Sequence, residues 1–508
     1  EYYRGRGFYA VAGGSYASLC PEKFENLAQT VIAGEAEYIW RDFCRDFEHG
    51  APQARYRETG EVRLEDSPTP RFDLLKLDCY TTVSMQFSRG CPYRCEFCDI
   101  IVMFGRRPRT KRLEQIGREL DALRALHVRN VFFVDDNLIG NKKLAKELLR
   151  YLAQYQEKHR YAFSFGTEAS LNLAEDEELL ELFRAANFAW VFIGIESPDA
   201  ASLKEAGKTQ NLRQDPLTAV RTIYAHGIDV LAGFIIGFDN DTLETFDKQY
   251  RFITASGIQV SMVGLLTALP RTPLYARLKQ EGRLIADAAD GDNTKPGTNF
   301  IPRRMDYASM VQSYQALFRR LFSDRGIARR IRNKARYLRR PVYQGEYSFF
   351  ETLGILGRLF WRGLVPGGPG RMLRFLRTLG AASPRAWPQT IADWIAGLAM
   401  HDYIKRHFHP DRLKERRLAQ TTAARLRKLC AAAVNRGALE IWTDLRQDGG
   451  HLQMRLRGCA ERVFSTRAVW RLEKLLRRSA ATVTLRIEEL REDQRQQLDR
   501  LLRRLAPY

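Results

Sequence analysis

The sequence predicts an α/β fold built around a parallel sheet with helices packed on its outside. Between residues 79 and 300, short apolar runs alternate with amphipathic helical patterns. Repeated strand–helix units of this kind favour parallel strands joined by crossover helices. The strand candidates are Thr82–Phe87, Val131–Val134, Ala162–Thr167, Ala189–Ile195, Val230–Ile236 and Ser261–Leu265. The helices predicted between them include Arg112–Leu126, Lys142–Lys158, Asp176–Ala186 and Leu217–Ala225.

The chain of 508 residues is too long for one compact core, so we expect several domains. Residues 1–50 have the pattern of the last part of another α/β domain, with a strand that ends at Gly13 and helices that begin near Pro21 and Tyr38. Residues 51–77 are polar and rich in proline, which predicts a linker before the parallel-sheet domain at 78–300. Because the chain begins with glutamate rather than methionine, we expect it to be a fragment of a longer protein.

The C-terminal part is predicted to contain two further regions. Residues 301–415 have the pattern of a basic helical extension, and residues 420–508 that of a small α/β domain. In the small domain the predicted strands are Ala438–Thr443, His451–Arg457 and Thr482–Ile487. The predicted helices around them are Thr422–Asn435, Ala468–Arg478 and Arg491–Leu505.

Positive charge is concentrated in the C-terminal part. Residues 301–508 carry 43 Lys and Arg against 18 Asp and Glu, whereas residues 1–300 carry 38 against 42. The formal net charge of +21 therefore comes from the C-terminal part, which indicates an anionic partner, either a membrane surface or nucleic acid. No apolar run approaches the roughly 18 residues of a transmembrane helix, and the N-terminus lacks the pattern of a signal peptide.

The basic region also contains tryptophans. Residues 348–403 interleave Trp361, Trp387 and Trp394 with leucine, phenylalanine and arginine. Basic amphipathic helices that carry tryptophan are typical of a membrane interface. The alternative is that these helices pack over the mouth of the sheet domain and leave their arginines in solvent.

Three cysteines follow the first predicted strand. Cys91, Cys95 and Cys98 have the spacing C-x3-C-x2-C, and thiolates are the usual ligands of a [4Fe–4S] cluster. Three ligands leave one iron open for a small molecule, and this spacing differs from the paired cysteines of a structural zinc site. The other five cysteines follow no pattern, which argues against a disulfide scaffold and for a reducing compartment.

Carboxylates follow the next predicted strands. Asp135 and Asp136 come after the second strand, Glu168 after the third and Glu196 after the fourth. A carboxylate can accept hydrogen bonds from an ammonium group or from ribose hydroxyls. The alternatives are an Asx turn or helix cap for the two aspartates, and a helix N-terminal carboxylate for each glutamate.

The cysteine spacing, with Phe97 before the last cysteine, resembles the radical S-adenosylmethionine (SAM) superfamily. The resemblance implies a partial (β/α)6 barrel whose open iron binds the amino and carboxylate groups of SAM. It implies that Glu168 and Glu196 contact SAM, and that Asp135 and Asp136 accept its ammonium group through side chain or backbone. The sequence Gly233-Phe-Ile-Ile-Gly237 matches the fifth-strand pattern whose backbone lies against adenine in that superfamily.

Longer stretches resemble one subfamily, the cobalamin-binding radical SAM proteins with an uncharacterised C-terminal domain, which includes the hopanoid methylases. They are FVDDNLIGNKK, FSFGTEASLNLA, VFIGIESPD, AGFIIGFDND and GDNTKPGTNFIP. The segments GGSYASL and GEAE resemble the end of a cobalamin-binding domain, so residues 1–50 would be its remnant. The first half of that domain, which carries the histidine motif, is not in this sequence.

The resemblance implies a radical SAM enzyme, and specifically a methyltransferase that acts on an unactivated carbon of a lipid-like or terpenoid substrate. The implied cofactors are a [4Fe–4S] cluster, SAM and cobalamin, with an electron donor such as flavodoxin or ferredoxin. We expect a cytoplasmic protein, peripheral on the inner face of the membrane. The alternatives are a radical SAM enzyme that modifies RNA and an iron–sulfur scaffold or sensor without catalysis. The lack of aromatic and glycine-rich RNA-binding motifs disfavours nucleic acid as a partner.

Overall fold

The computed structural model describes residues 2–285, 297–342 and 347–407, residue 427, and three strands near the C-terminus. The chain divides into two compact units, Glu1–Ala399 and Met400–Tyr508. The described strands of the second unit form one sheet and lie close to the three predicted there: Leu439–Asp444, His451–Arg457 and Val483–Glu488. The helices predicted around those strands lie outside the described residues.

The N-terminal segment forms a small parallel sheet. Its strands pair side by side in chain order: β1 (Val11–Ala12), β2 (Thr30–Ala33) and β3 (Arg55–Arg57). A helix follows each of the first two strands: α1 (Ser15–Leu19) and α2 (Ala36–Glu48). Ile39 and Phe43 of α2 pack against Ile32 and Tyr56 of the sheet, so this segment has an apolar core of its own.

Two features of the N-terminal segment differ from the sequence prediction. The helix expected from Pro21 is only a 3-10 turn, Pro21–Lys23. The segment 51–77, predicted to be a linker, contributes β3 to the sheet and buries Val62 and Leu64. These apolar side chains stand alone among polar neighbours, and for this reason the polar composition of the segment concealed its packing.

The chain between residues 83 and 265 supplies the central sheet. Its strands are β4 (Val83–Met85), β5 (Ser88–Arg89), β6 (Arg109–Thr110), β7 (Asn130–Phe133), β8 (Ser164–Ala169), β9 (Phe188–Glu196), β10 (Asp229–Ile236) and β11 (Ser261–Leu265). Strands β5 and β6 pair with each other in antiparallel fashion. The other six form one parallel sheet in the order β4-β7-β8-β9-β10-β11. This sheet confirms the predicted α/β class.

Helices connect and cover the strands of this sheet. They are α3 (Ile100–Met103), α4 (Leu113–Ala125), α5 (Lys142–Lys158), α6 (Glu177–Ala185), α7 (Ala200–Glu205), α8 (Pro216–Ala225), α9 (Leu243–Ser256) and α10 (Pro273–Gln280). Asn141, Asp176 and Asp215 precede α5, α6 and α8, and each side chain accepts a hydrogen bond from a backbone N–H of the first turn. Such caps satisfy donors that have no partner within the helix, which explains why the helices begin there.

Apolar burial between helices and strands stabilises the sheet. Val191, Ile193 and Ile195 of β9 and Leu148 and Leu152 of α5 are fully buried. Burial of one such side chain contributes about 1.5–3 kcal/mol. The near-continuous apolar strands are those expected for a parallel sheet that is covered on both faces.

The chain after the sheet is helical up to residue 407, which confirms the predicted helical region. Its helices are α11 (Tyr307–Leu321), α12 (Asp324–Ala335), α13 (Phe349–Arg358), α14 (Gly368–Ala381) and α15 (Trp387–His407), with a π-helical stretch at Leu359–Leu364. The three tryptophans differ in environment: Trp394 is fully buried, whereas Trp361 is 69% and Trp387 45% exposed. In the described part of the chain, no helix combines the length and the apolar character needed to cross a bilayer.

A buried lysine links this helical region to the central sheet. Lys334 of α12 places its Nζ 2.8 Å from Oδ1 of Asp229, the first residue of β10, and 2.8 Å from Oδ1 of Asp393 in α15. Burial alone lowers the pKa of Lys334, but the two carboxylates outweigh that effect and raise it. Burial raises the pKa of Asp393 to about 6, against the opposing effect of Lys334. The three charged groups therefore depend on one another.

We expect the substitution Lys334→Met to destabilise the protein by about 3–5 kcal/mol, because it leaves two buried carboxylates without a cation. Urea unfolding followed by circular dichroism measures this loss. Arg332→Met, at an exposed position of the same helix, is the matched control and should change stability by less than about 0.5 kcal/mol. Equal losses in the two variants would contradict the role given to Lys334.

Candidate active site

The three cysteines lie in a loop that follows β4 at the carboxyl edge of the parallel sheet. In parallel α/β folds this edge is where ligands bind. The antiparallel pairing of β5 with β6 brings the two ends of the loop together. Gly90, with φ of 100°, precedes the first cysteine, and a Cβ atom there would lie 2.9 Å from the Arg107 carbonyl oxygen. Only glycine fits this position without a shift of the backbone.

Asp135 and Asp136, which follow β7, stabilise the start of the cysteine loop. Asp135 Oδ1 accepts a hydrogen bond from Phe87 N at 2.8 Å, and its Oδ2 accepts from Ser88 N at 2.6 Å and Ser88 Oγ at 2.5 Å. Asp136 Oδ2 accepts from Gly90 N at 2.7 Å. Asp135 is fully buried, and burial raises its pKa to about 7 although these hydrogen bonds lower it.

These contacts correct the prediction for the Asp135 side chain. Its carboxylate is occupied by backbone and hydroxyl donors of the loop, so it is not available to accept the ammonium group of a ligand. The alternative of a cap for the chain that follows is also wrong for these contacts, because both aspartates accept from residues that precede them. The predicted contact through the backbone stays a prediction for both residues.

The three cysteine side chains are largely shielded from solvent. Cys95 is buried, and Cys91 and Cys98 are partly buried. Burial raises the pKa of all three thiols, that of Cys98 to about 12. Binding of a metal would therefore displace protons from these sulfurs.

The three thiols can be compared with the ligand sets of two kinds of metal site. Among the described residues, no three His, Cys, Asp or Glu side chains converge on a point that could hold one metal ion. In a [4Fe–4S] cluster each thiolate binds a different iron, so the sulfurs lie farther apart than the ligands of a tetrahedral zinc. Three cysteines in one loop supply the three thiolates that such a cluster needs while leaving one iron open.

A segment that follows α7 packs against the cysteine loop. Glu96 N donates a hydrogen bond to the Ala206 carbonyl at 3.0 Å. Gly207 has φ of 69°, and a Cβ atom there would lie 2.8 Å from the Arg94 carbonyl oxygen. Gln210 Nε2 lies 3.9 Å from Cys95 Sγ. The backbone of this segment thus closes one side of the loop.

The same segment places a lysine among the predicted site residues. Lys208 Nζ lies 2.5 Å from Glu196 Oε1 and 5.9 Å from the centre of the Phe97 ring. Burial lowers the pKa of Lys208, but the negative charges of Glu196, Cys95 and Cys98 outweigh that effect and raise it. No sequence motif singled out this residue, because a lone lysine after a short helix has no characteristic spacing.

The two predicted glutamates end neighbouring strands on the same edge. Glu196 ends β9 with φ of 62° beside a register shift in the pairing with β10. This left-handed conformation is uncommon for a residue other than glycine and is often found at functional sites. Burial raises the pKa of Glu168, at the end of β8, to about 7, with a further rise from Asp136 and an opposing effect of Lys208.

The two predicted glycines lie on β10 and just after it. A Cβ atom on Gly233 would lie 3.2 Å from the Phe192 ring and 3.9 Å from Glu196 Oε2. Gly237, with φ of 127°, donates its N–H to Asp241 Oδ2 at 2.8 Å. Phe97 contacts Phe238 with ring centres 6.2 Å apart. Gly233 thus approaches the glutamate cluster, whereas Gly237 shapes the end of the strand.

Ion pairs join the N-terminal segment to the cysteine loop. Arg89 pairs with Glu35, and its Nη2 lies 2.9 Å from Glu37 Oε1. Arg109 Nη2 lies 2.9 Å from Glu35 Oε1. The GEAE segment, which sequence reasoning did not assign to this site, is therefore bound to both ends of the loop.

A cavity of about 570 Å³ opens beside these ion pairs. It is lined from one side by Gly14, Gly34 and Trp40 of the N-terminal segment, and from the other by Val102 and Phe104 near α3. No atom lies within 4 Å of the place where a Cβ atom of Gly14 would be. The glycine backbone is therefore open to a large ligand next to the cysteine loop.

The structure thus brings most of the predicted site residues to one edge of the sheet. Phe97, Asp136, Glu168, Glu196 and Gly233 accompany the three cysteines there, with electrostatic contacts among the two glutamates, Asp136 and Lys208. Which of them bind a cofactor stays a prediction. The residues that sequence reasoning missed are Lys208, Glu35 and Arg89.

Two family models match the chain. The model of the radical SAM superfamily matches residues 85–253, which contain the three cysteines and both glutamates. A domain of unknown function, DUF4070, matches residues 272–412.

Several curated proteins are similar in sequence. An uncharacterized methyltransferase of Synechocystis sp. is 41% identical over 325 residues, 64% of this chain and 60% of that protein. The hopanoid C-2 methylase of Rhodopseudomonas palustris is 40% identical over 294 residues, 57% of this chain and 55% of that protein. The chain therefore spans between half and two thirds of the length of these two relatives.

Among solved structures, the cobalamin-dependent SAM radical enzyme OxsB, with aqua-cobalamin and SAM bound, has a similar fold. The TM-score is 0.50 at 18% identity, and the match covers 80% of this chain and 68% of OxsB. The radical SAM model thus matches the part of the chain that holds the cysteine loop and most of its sheet, and it assigns a radical SAM domain to residues 85–253.

Proposed function

We propose that this chain is the radical SAM part of an enzyme that methylates an unactivated carbon of a lipid-like or terpenoid substrate. The observation that carries the proposal is the common edge shared by Cys91, Cys95 and Cys98, the two strand-end glutamates and Lys208. This edge offers thiolates for a cluster and charged groups for an amino acid within one partly buried site.

The residues divide into ligands and supports. Cys91, Cys95 and Cys98 would each bind one iron, and the cluster, when bound, supplies the electron that cleaves SAM. Asp135 and Asp136 stabilise the loop by accepting hydrogen bonds from its backbone N–H groups. An external electron donor such as flavodoxin or ferredoxin would reduce the cluster.

The charged groups at the same edge suit the two ends of SAM. Lys208 carries a positive charge close to Cys95 and Cys98 and would pair with the carboxylate of SAM. Glu168 and Glu196 offer acceptors for an ammonium group or ribose hydroxyls. At Gly233 a Cβ atom would lie 3.2 Å from the Phe192 ring, so glycine keeps this part of the edge free of a further side chain.

Cobalamin is the second cofactor in this proposal. The cavity of about 570 Å³ lies between the strand-end glycines and α3, which directly follows the third cysteine. A large planar ligand in this cavity would lie next to the cluster loop, as required for transfer of a methyl group to a substrate radical. The similarity to the hopanoid C-2 methylase supports the choice of a polycyclic, lipid-like substrate.

We also propose that the protein is peripheral to an anionic membrane. Helix α13 and the π-helical stretch expose large apolar side chains: Phe349 is 75%, Phe350 81% and Trp361 69% exposed. Arg358 and Arg362 are exposed in the same stretch. Exposed aromatic side chains flanked by arginines match a membrane surface, where a lipid-like substrate would be found.

The first experiment tests the cluster. Anaerobic reconstitution should give about four irons per chain, and replacement of Cys91, Cys95 or Cys98 by alanine should abolish this binding because the cluster loses one of its three thiolate ligands. Iron analysis and absorption spectra provide the measurement. Cys79→Ala, at an exposed free cysteine, is the control and should keep the cluster. Normal iron content in Cys95→Ala would refute the proposal, and zinc in place of iron would favour the alternative of a structural site.

The second experiment tests the SAM contacts. Lys208→Met and Glu196→Gln should keep the cluster but weaken SAM binding by about tenfold or more, because each removes a charge-assisted hydrogen bond. Equilibrium dialysis of SAM with the reconstituted protein gives the affinity. Glu175→Gln, at an exposed glutamate that follows β8, should leave it unchanged. If both variants bind SAM as tightly as the unmodified protein, these residues do not bind the cofactor.

The third experiment tests membrane attachment. Replacement of Phe349, Phe350 and Trp361 by serine should abolish sedimentation with anionic vesicles, whereas high salt should release the unmodified protein only partly, because burial of aromatic rings is insensitive to screening. Serine at Tyr2, Tyr3 and Tyr80, which are exposed aromatic residues elsewhere, is the matched control and should leave sedimentation unchanged.

Two results would count against membrane attachment. Equal binding to neutral and anionic vesicles would show that the arginines are not involved. Equal sedimentation of the triple variant and the unmodified protein would show that this aromatic surface is not the site of attachment.

A further inference from the structure

A second cavity of about 370 Å³ lies where α8 and α9 of the radical SAM domain meet α12. Four arginines line it: Arg221 from α8, Arg251 from α9, Arg329 from α12 and Arg336 at the end of α12. Neither the family matches nor the proposed chemistry assigns it a role. Four guanidinium groups at one place favour an anionic ligand.

Most of the positive charge of this cavity has no paired carboxylate in the part of the chain that the structure describes. Arg251 pairs with Asp247, at 3.2 Å from Nη2 to Oδ2. Among the described residues, no carboxylate forms an ion pair with Arg221, Arg329 or Arg336. Like charges gathered without counterions disfavour the folded state, and a bound anion would relieve their repulsion.

Two arginine side chains stack on tyrosine rings that line the cavity. The Arg221 guanidinium lies 4.8 Å from the centre of the Tyr337 ring. Arg320, which also neutralises Asp247, lies 3.9 Å from the centre of the Tyr250 ring. Stacking on a ring restricts a guanidinium while its N–H donors remain able to bind a ligand.

Buried polar atoms at this cavity also lack protein partners. Thr254 is 3% exposed, yet its Oγ1 forms no hydrogen bond to any group that the structure describes. The same holds for Arg221 Nε. Buried donors are normally satisfied, and a ligand in this cavity that accepts hydrogen bonds would supply the missing partners.

The cavity is separate from the cysteine site. It involves Thr254 and Ala255, close to the end of α9 at Ser256, which leads into β11. In a parallel α/β sheet the ends of such helices lie at the amino edge of the strands, opposite to the edge that carries the cysteines. A ligand here would therefore act away from the cluster and between two regions of the chain.

We propose that this cavity binds a phosphate-bearing anion. Guanidinium forks match the geometry of phosphate oxygens, the hydroxyl of Thr254 can donate to one of them, and the volume exceeds what a single water requires. The ligand is either a free phosphate compound or the headgroup of a phospholipid, since both present the same chemistry. The anion would bridge α12 to α8 and α9. This proposal does not depend on the proposed methyl transfer.

Calorimetric titration of the full chain with pyrophosphate, at constant ionic strength, tests the proposal. The double variant Arg329→Gln/Arg336→Gln should bind it about tenfold or more weakly, because two charge-assisted contacts are lost. The matched control is Arg325→Gln/Arg332→Gln, which removes the same charge from exposed positions of the same helix outside the cavity. The control should bind as the unmodified protein does.

Further arms identify the source of the phosphate. Weaker sedimentation of the Arg329→Gln/Arg336→Gln variant with phosphatidylglycerol vesicles would assign the cavity to a lipid headgroup. Unchanged sedimentation with weakened binding of pyrophosphate would assign it to a free phosphate compound. The proposal is overturned if the unmodified protein binds pyrophosphate no better than the double variant, or if the control variant loses as much affinity. Circular dichroism of each variant verifies that the fold is intact.

Discussion

The buried carboxylate of Asp135 is the contact on which the geometry of the cysteine loop depends. The loop has little regular structure, yet it must present three sulfurs at fixed positions. Asp135 accepts three hydrogen bonds from Phe87 and Ser88, where the chain leaves β4. Hydrogen bonds to a charged group contribute about 1.5–3 kcal/mol each, and a buried acceptor without donors costs as much. The short strand β4 can be placed accurately because β7 supplies both its pairing partner and this carboxylate.

The second constraint comes from the N-terminal segment. Glu35 is only 8% exposed and lies between two arginines, one from each end of the cysteine loop. These ion pairs are the reason why the cavity next to α3 has a defined wall. The loop is thus held by a carboxylate of the central sheet on one side and by carboxylates of a separate small sheet on the other. The conformation of the cysteine loop therefore depends on two parts of the chain.

The sequence was sufficient to predict the sheet and which strand ends carry the cysteines and the two glutamates. Apolar runs located all six parallel strands, and strand order put the cysteines, Glu168 and Glu196 on one edge. The sequence could not tell whether a carboxylate at a strand end points into a cavity or into the protein, and for this reason it did not predict that the Asp135 side chain binds the cysteine loop. Lys208 was missed because its role depends on the fold of a short segment against the loop. Similarly, composition alone could not distinguish the buried Trp394 from the exposed Trp361, since the position of each around its helix decides its exposure.

Gly207 has a consequence for how the site tolerates change. Its backbone contacts the Arg94 carbonyl so closely that any side chain would displace either the cysteine loop or its own segment. Lys208 is the next residue, so a displacement of that segment would also move the cation that pairs with Glu196. The positions of the loop and of the lysine are therefore coupled. A mutation that displaces one of them would also displace the other, because their backbones are in contact. Substitution of Gly207 would therefore disturb the site, although glycine has no side chain that could take part in the chemistry.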